Sequence, residues 1–119
     1  MAYDKDNIFA KILRGEIPCN KVYEDEYVLS FHDINPQAPV HVLVIPKGAY
    51  ISSDDFFDKG SAAEIAGFWR AVGTVARDLG LAGDGYRLLA NHGSDANQEV
   101  PHFHLHIFAG RNLGRMLPA

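Results

Sequence analysis

The chain has 119 residues, of which 47% are hydrophobic and 22% charged, so we predict a single soluble domain over residues 1–119. Its net charge is −4 and it has no basic cluster, which argues against binding to a nucleic-acid backbone. No apolar run approaches the roughly 18 residues that a membrane span needs. The single cysteine, Cys19, cannot form an internal disulfide, so we expect a reducing, cytoplasmic location.

The patterns predict, in chain order, one helix, three strands, a second helix and two strands. The predicted helices cover 7–14 and 62–79, and the predicted strands cover 22–23, 27–32, 41–45, 86–91 and 102–109. The first helix has Asn7 as its N-cap and ends at Gly15. The second has a capping-box pattern at Ser61 and Glu64, followed by apolar residues at a spacing of three and four. This order predicts an α+β fold with an antiparallel sheet.

Three histidines alternate near the C-terminus, at His102, His104 and His106. The residues around them favour strands, and a strand sends alternate side chains to opposite faces. We therefore expect the three imidazoles on one face, about 7 Å apart along the strand, and Phe103 and Leu105 in the core on the other.

Three interpretations of this row of histidines compete. A zinc site needs three or four ligands, but same-face positions are widely spaced and Cys19 lies far away in sequence. Exposed histidines without chemistry are the second interpretation. The third is nucleophilic catalysis at phosphorus, in which imidazoles act as nucleophile, donor and acid. The preceding loop, 91–98, favours the third because its glycine, amide and hydroxyl groups can surround an anion.

The sequence resembles the histidine triad family in three blocks. Residues 102–108 match the family signature, in which histidines alternate with other residues and apolar positions follow. Residues 6–18 are similar to the N-terminal helix and following turn of the Hint branch, and residues 31–46 are similar to its second block. The resemblance covers about residues 5–112, and 113–119 form a C-terminal tail.

The resemblance implies a five-stranded antiparallel sheet with two helices, continued across a homodimer. It implies binding of a purine nucleoside monophosphate, with no metal or other cofactor. The implied reaction is hydrolysis of purine nucleoside phosphoramidates and related nucleotidyl adducts through a nucleotidyl-histidine intermediate. Two alternatives remain: a dinucleoside polyphosphate hydrolase, and a nucleotide-binding protein with vestigial activity.

The resemblance also implies roles for individual residues. His104 is the nucleophile on the α-phosphorus, His102 and His106 contact the phosphate oxygens or the leaving group, and His41 orients the triad. Asp33 is expected to accept hydrogen bonds from the ribose hydroxyls. The remaining expected contacts are to the base, from Ile8, Phe9, Ile12, Phe31 and Ile34, and to the phosphate, from Asn91 and Gln98.

The chain departs from eukaryotic members of the family at two places. Glu99 stands where those members have a serine that contacts the phosphate or the leaving group. A carboxylate beside a phosphate is unfavourable, although the backbone N–H of Glu99 can still donate. The acid for the leaving group therefore stays open, with His102 as one candidate. The tail lacks the tryptophan of eukaryotic members. We interpret His32 as a surface or core residue and His92 as structural.

Overall fold

A five-stranded antiparallel sheet organises the computed structural model, which describes residues 2–118. The helices are α1 (Ile8–Leu13), α2 (Ser53–Lys59) and α3 (Ala62–Asp78), and the strands are β1 (Lys21–Glu24), β2 (Val28–His32), β3 (Val40–Pro46), β4 (Arg87–Leu89) and β5 (Leu105–Ala109). The strand order is β1-β2-β3-β5-β4, and all four pairings are antiparallel. The predicted α+β class and sheet are confirmed. Within residues 2–118, no helix is long and apolar enough to span a bilayer.

The central strand β3 divides the core into two clusters because its side chains alternate between the faces of the sheet. Val42 and Val44 pack on the side of α3, in the larger cluster. Leu43 and Ile45 pack on the opposite side, in the cluster that contains Phe9 of α1. Helices α1 and α3 therefore cover opposite faces of the sheet.

Helix α3 matches its predicted bounds closely. Its N-terminus carries the predicted capping box: the Ser61 hydroxyl accepts from the backbone N–H of Glu64, and the Glu64 carboxylate accepts from that of Ser61. Helix α2 was not predicted. It has only seven residues, too few for a helical period to show in the sequence. Its buried Phe56 stacks on Phe103 with the ring centroids 5.2 Å apart.

The last strand is shorter than predicted and begins at Leu105. The backbone N–H of Phe103 donates to the carbonyl oxygen of Tyr50 at 2.7 Å, which takes residues 102–104 away from the ladder with β3. The expected alternation survives, because Phe103 and Leu105 lie in the α3-side cluster. The predicted strand 86–91 is likewise reduced to Arg87–Leu89.

Candidate active site

A cavity of about 610 Å³ lies on the α1 side of the sheet. It brings together most of the residues expected to form the site. Those that line it are Ile8, Phe9, Ile12, Phe31, Asp33, Ile34, Asn91, Glu99, His104 and His106. Apolar side chains from α1 and β2 form one part of the wall, and the histidines form another. Ile34 is 93% exposed at the rim.

One ring nitrogen of His104 is hydrogen-bonded to the backbone. Its Nδ1 lies 2.8 Å from the backbone carbonyl oxygen of His102. A carbonyl oxygen only accepts hydrogen bonds, so Nδ1 carries the proton and Nε2 keeps its lone pair. The ring is 7% exposed and packs edge-on against Phe9, with the centroids 4.9 Å apart. Burial lowers the pKa of His104, which favours the neutral, nucleophilic form.

A chain of hydrogen bonds fixes the opposite tautomer in His106. The backbone N–H of Gln37 donates to Nδ1 of His41, so the proton of a neutral His41 sits on Nε2. That nitrogen lies 2.9 Å from Nδ1 of His106, which must then accept. His106 is left with its proton on Nε2, as a donor. Burial, together with the neighbouring imidazoles of His104 and His41, lowers the pKa of His106 to about 4.

Asp33 lies between the cavity and this chain of hydrogen bonds. One carboxylate oxygen lies 3.4 Å from Nε2 of His41, and the other accepts from the backbone N–H of Asn35 at 2.8 Å. Asp33 therefore caps the turn and also lines the cavity. His41 is buried, and its ring centroid lies 5.1 Å from that of His106.

His102 does not reach the cavity, which corrects its expected place beside the phosphate. Its ring is fully buried, and Nε2 lies 2.9 Å from the carbonyl oxygen of Pro46 and must donate to it. Nδ1 then accepts from the hydroxyl of Tyr3 at 2.5 Å. Burial lowers the pKa of His102 to about 4. With both nitrogens engaged, the imidazole of His102 is a poor candidate for the leaving-group acid, and its backbone carbonyl serves His104 instead.

Gln98 is the second correction. Its side-chain amide donates to the carbonyl oxygens of Ile51 and Val100, at 2.7 and 3.0 Å, and accepts from the backbone N–H of Gly93 at 3.2 Å. The whole amide is used to hold the loop, so it is not directed at a phosphate. Asn91 and the exposed Glu99 do line the cavity.

The cavity also contains residues that the sequence analysis did not assign to it. His32, interpreted as a surface or core residue, is exposed and lines the wall. Cys19 lines it from the segment between α1 and β1. Asn97, which adopts a left-handed conformation with φ of 56°, lines it from the loop before β5. The sequence could have indicated these three residues only through their proximity to the expected site residues. Tyr3, behind His102, gave no such signal.

Among residues 2–118, one group of side chains brings potential metal ligands together. Asp33, His41 and His106 bring one potential ligand atom each within 4.8 Å of one another. Zinc bound through Nε2 of His41 and Nδ1 of His106 would need the lone pairs of both nitrogens, which already share a hydrogen bond. Metal binding there would break the chain that sets the tautomer of His106.

The fold and the site together define a small α+β domain with a histidine-centred pocket on one face of its sheet. Comparisons with known proteins agree with this description of the fold. The family model described as the HIT domain matches residues 14–113. The chain is 66% identical to an uncharacterised 13.2 kDa HIT-like protein of Azospirillum brasilense, over 97% of this chain and 94% of that one. It belongs to the histidine triad family and to its Hint-like branch, as the sequence resemblance indicated.

Two further relatives support this assignment. A purine nucleoside phosphoramidase of Escherichia coli is 41% identical over 95% of this chain and 94% of its own length. The structure of a histidine triad protein from Clostridium difficile has a TM-score of 0.86 and 44% identity. That comparison covers 96% of this chain and 98% of the other.

Proposed function

We propose that the protein hydrolyses purine nucleoside phosphoramidates and related nucleotidyl adducts, releasing a nucleoside monophosphate. The observation that carries the proposal is the state of His104: a buried, neutral imidazole whose free Nε2 belongs to a ring lining the cavity. The name of the Escherichia coli relative, a purine nucleoside phosphoramidase, supports this reaction class.

The cavity offers separate surfaces for the parts of a nucleotide. Ile8, Phe31 and Ile34 provide an apolar slot for a purine ring. The carboxylate of Asp33 can accept from both ribose hydroxyls, which would favour ribose over deoxyribose. Asn91 also lines the cavity, and its amide can donate to the phosphate.

The reaction has two displacements at phosphorus. In the first, Nε2 of His104 attacks, an N–P bond forms, and the bond from phosphorus to the amine breaks while the amine takes up a proton from solvent. In the second, water attacks phosphorus, the bond to His104 breaks, and the monophosphate leaves with release of a proton. His106 donates from Nε2 to a phosphoryl oxygen in both steps and stabilises its developing charge.

The direct test is steady-state hydrolysis of adenosine phosphoramidate by the wild type and by His104→Ala. We expect turnover well above background in the wild type and a loss of about a thousandfold or more in the variant, because the nucleophile is gone. Adenosine monophosphate should still bind to the variant, since the apolar slot and Asp33 are intact. Asp84→Ala, in the exposed turn before β4, is the control and should keep the wild-type rate.

The same assay separates the alternatives. Faster turnover of a diadenosine polyphosphate than of the phosphoramidate would favour a dinucleoside polyphosphate hydrolase. Tight monophosphate binding with negligible turnover of both substrates would indicate a binding protein. Full activity of His104→Ala would contradict the covalent mechanism.

A further inference from the structure

The carbonyl oxygen of His102, which sets the tautomer of His104, lies outside the ladder of the sheet. Strand β5 begins at Leu105, so no pairing with β3 fixes the peptide between His102 and Phe103. That peptide is planar, and its two polar atoms point in opposite directions. Its N–H donates to the carbonyl oxygen of Tyr50 at 2.7 Å, and its carbonyl oxygen accepts from Nδ1 of His104 at 2.8 Å. The orientation of this peptide therefore governs the hydrogen bond that holds the nucleophilic ring.

The side chain of His102 anchors one end of that peptide. The ring is fully buried, and Nε2 donates to the carbonyl oxygen of Pro46 at 2.9 Å. In a neutral imidazole the other nitrogen then has a lone pair and accepts. The hydroxyl of Tyr3 donates to this Nδ1 at 2.5 Å, and the Tyr3 ring meets the imidazole edge-on, with the centroids 5.6 Å apart. The two hydrogen bonds together fix both the plane and the tautomer of His102.

Tyr3 reaches His102 from the segment that precedes α1. The next residue, Asp4, secures this segment, because its carbonyl oxygen accepts from the backbone N–H and the side-chain amide of Asn7, at 3.3 and 2.7 Å. Tyr3 is half-buried and does not line the cavity of the site. Among residues 2–118, it provides the only hydrogen bond to Nδ1 of His102. Its connection to the reaction therefore runs through His102 and not through the substrate.

We propose that Tyr3 is a positioning residue for the reaction: its hydroxyl fixes the ring of His102, and the carbonyl of His102 in turn holds His104 with a free lone pair on Nε2. The inference rests on the proposed function and adds to it a residue outside the pocket. Without the hydroxyl, Nδ1 of His102 would be a buried acceptor without a donor, which is unfavourable. The ring and its peptide would then reorient, and His104 would spend less time in the nucleophilic tautomer.

The test is Tyr3→Phe, which keeps the aromatic ring beside His102 and removes only the hydroxyl. A single neutral hydrogen bond changes an equilibrium by about two- to tenfold, so we expect kcat/KM for adenosine phosphoramidate to fall by about threefold to tenfold. This parameter reports the attack of His104. The Kd for adenosine monophosphate, measured by calorimetry, should stay at its wild-type value, because Tyr3 does not line the cavity.

Tyr23→Phe is the matched control. The hydroxyl of Tyr23 donates to the carboxylate of Asp25 at 2.9 Å, and its ring packs against the cluster on the α3 side of the sheet. This variant also loses one tyrosine hydroxyl and one hydrogen bond, but on the face opposite the site. It should keep the wild-type kcat/KM.

The ¹⁵N NMR spectrum of the histidine rings gives a readout that a general loss of stability would not move. In the wild type, His104 should show a protonated Nδ1 and an unprotonated Nε2. In folded Tyr3→Phe, the two resonances of His104 should move towards each other as the second tautomer becomes populated. The unprotonated Nδ1 of His102 should shift towards the value of a nitrogen without a hydrogen bond. Tyr23→Phe should give the wild-type spectrum.

The outcomes separate the two proposals. A wild-type kcat/KM in Tyr3→Phe, or unchanged resonances of His104, would overturn the role of Tyr3 and leave the phosphoramidase reaction standing. An equal weakening of monophosphate binding would also overturn it, because the pocket as a whole would then have loosened. No turnover by the wild type would overturn the proposed function itself, and the inference with it.

Discussion

His41 and the three histidines of the triad differ in what their ring nitrogens contact, and those contacts set the tautomer of each ring. His104 donates to a carbonyl and keeps a free Nε2, whereas His106 accepts from His41 and keeps a proton on Nε2. The alternating sequence predicts that the imidazoles share one face. It could not predict the partners, because Pro46 is distant in the chain from His102 and acts through its backbone.

Burial of neutral His102 predicts a pH-dependent stability. Its pKa falls from 6.5 to about 4 in the folded protein, so between these values the unfolded chain binds more protons. The resulting contribution to the free energy of unfolding is complete above pH 6.5 and is lost as the pH falls towards 4. Urea unfolding at several pH values should show it. His102→Gln, whose amide can still donate to Pro46, should reduce the slope by up to about 1.4 kcal/mol per pH unit.

The exposed His92 provides the matched control for that measurement. His92→Gln removes a histidine of the same type without disturbing a buried ring, so the slope should stay at its wild-type value. An unchanged slope in His102→Gln would show that His102 is not the buried group responsible.

The helices and strands with their own sequence signals were predictable, and those shaped by distant contacts were not. α3 follows from its capping box and apolar spacing, and the sheet follows from strand-forming segments. α2 is too short to show a period, and it is held by Phe56 in the core. Strand β5 joins the ladder only from Leu105 onwards because the backbone N–H of Phe103 donates to Tyr50 instead. No local sequence pattern encodes that contact.

Helix α1 carries Phe9 to the ring of His104, so its stability should bear on substrate binding. Its N-cap, Asn7, is buried; the side chain accepts from the backbone N–H of Ala10 at 2.9 Å and donates to the carbonyl of Asp4 at 2.7 Å. Asn7→Ala should therefore lower the free energy of unfolding by about 1–2 kcal/mol. Because α1 also forms a cavity wall, KM for adenosine phosphoramidate should rise severalfold.

Ser61→Ala removes the corresponding cap from α3 and is the matched control. It should lower the free energy of unfolding by about 1 kcal/mol, but KM should not change, because α3 packs on the opposite face of the sheet. Urea unfolding and steady-state kinetics on both variants make the comparison. Equal effects on KM would show that α1 has no special link to the pocket.

The sheet gives the whole molecule two unlike faces and two unlike edges. The α3 face holds the larger apolar cluster, and the α1 face holds the site. At one edge, the pairing register of β1 is irregular, and the strand has a charged residue at each end, Lys21 and Glu24. These features discourage pairing with a further strand. At the other edge, β4 is short and presents Leu88, which is 40% exposed. The continued sheet implied by the family resemblance is therefore expected to form through β4.

Charge added at the β4 edge should consequently disrupt a dimer. We expect the wild type to have the mass of a dimer by size-exclusion chromatography with light scattering, and Leu88→Lys to shift it towards the monomer, because an ammonium would be buried without a partner. Asn20→Lys adds the same charge next to the β1 edge and should leave the dimer intact. A monomeric wild type, or dissociation caused by Asn20→Lys instead of Leu88→Lys, would exclude pairing through β4. The outcome also bears on the site, because β4 lies beside β5, the strand that carries His106.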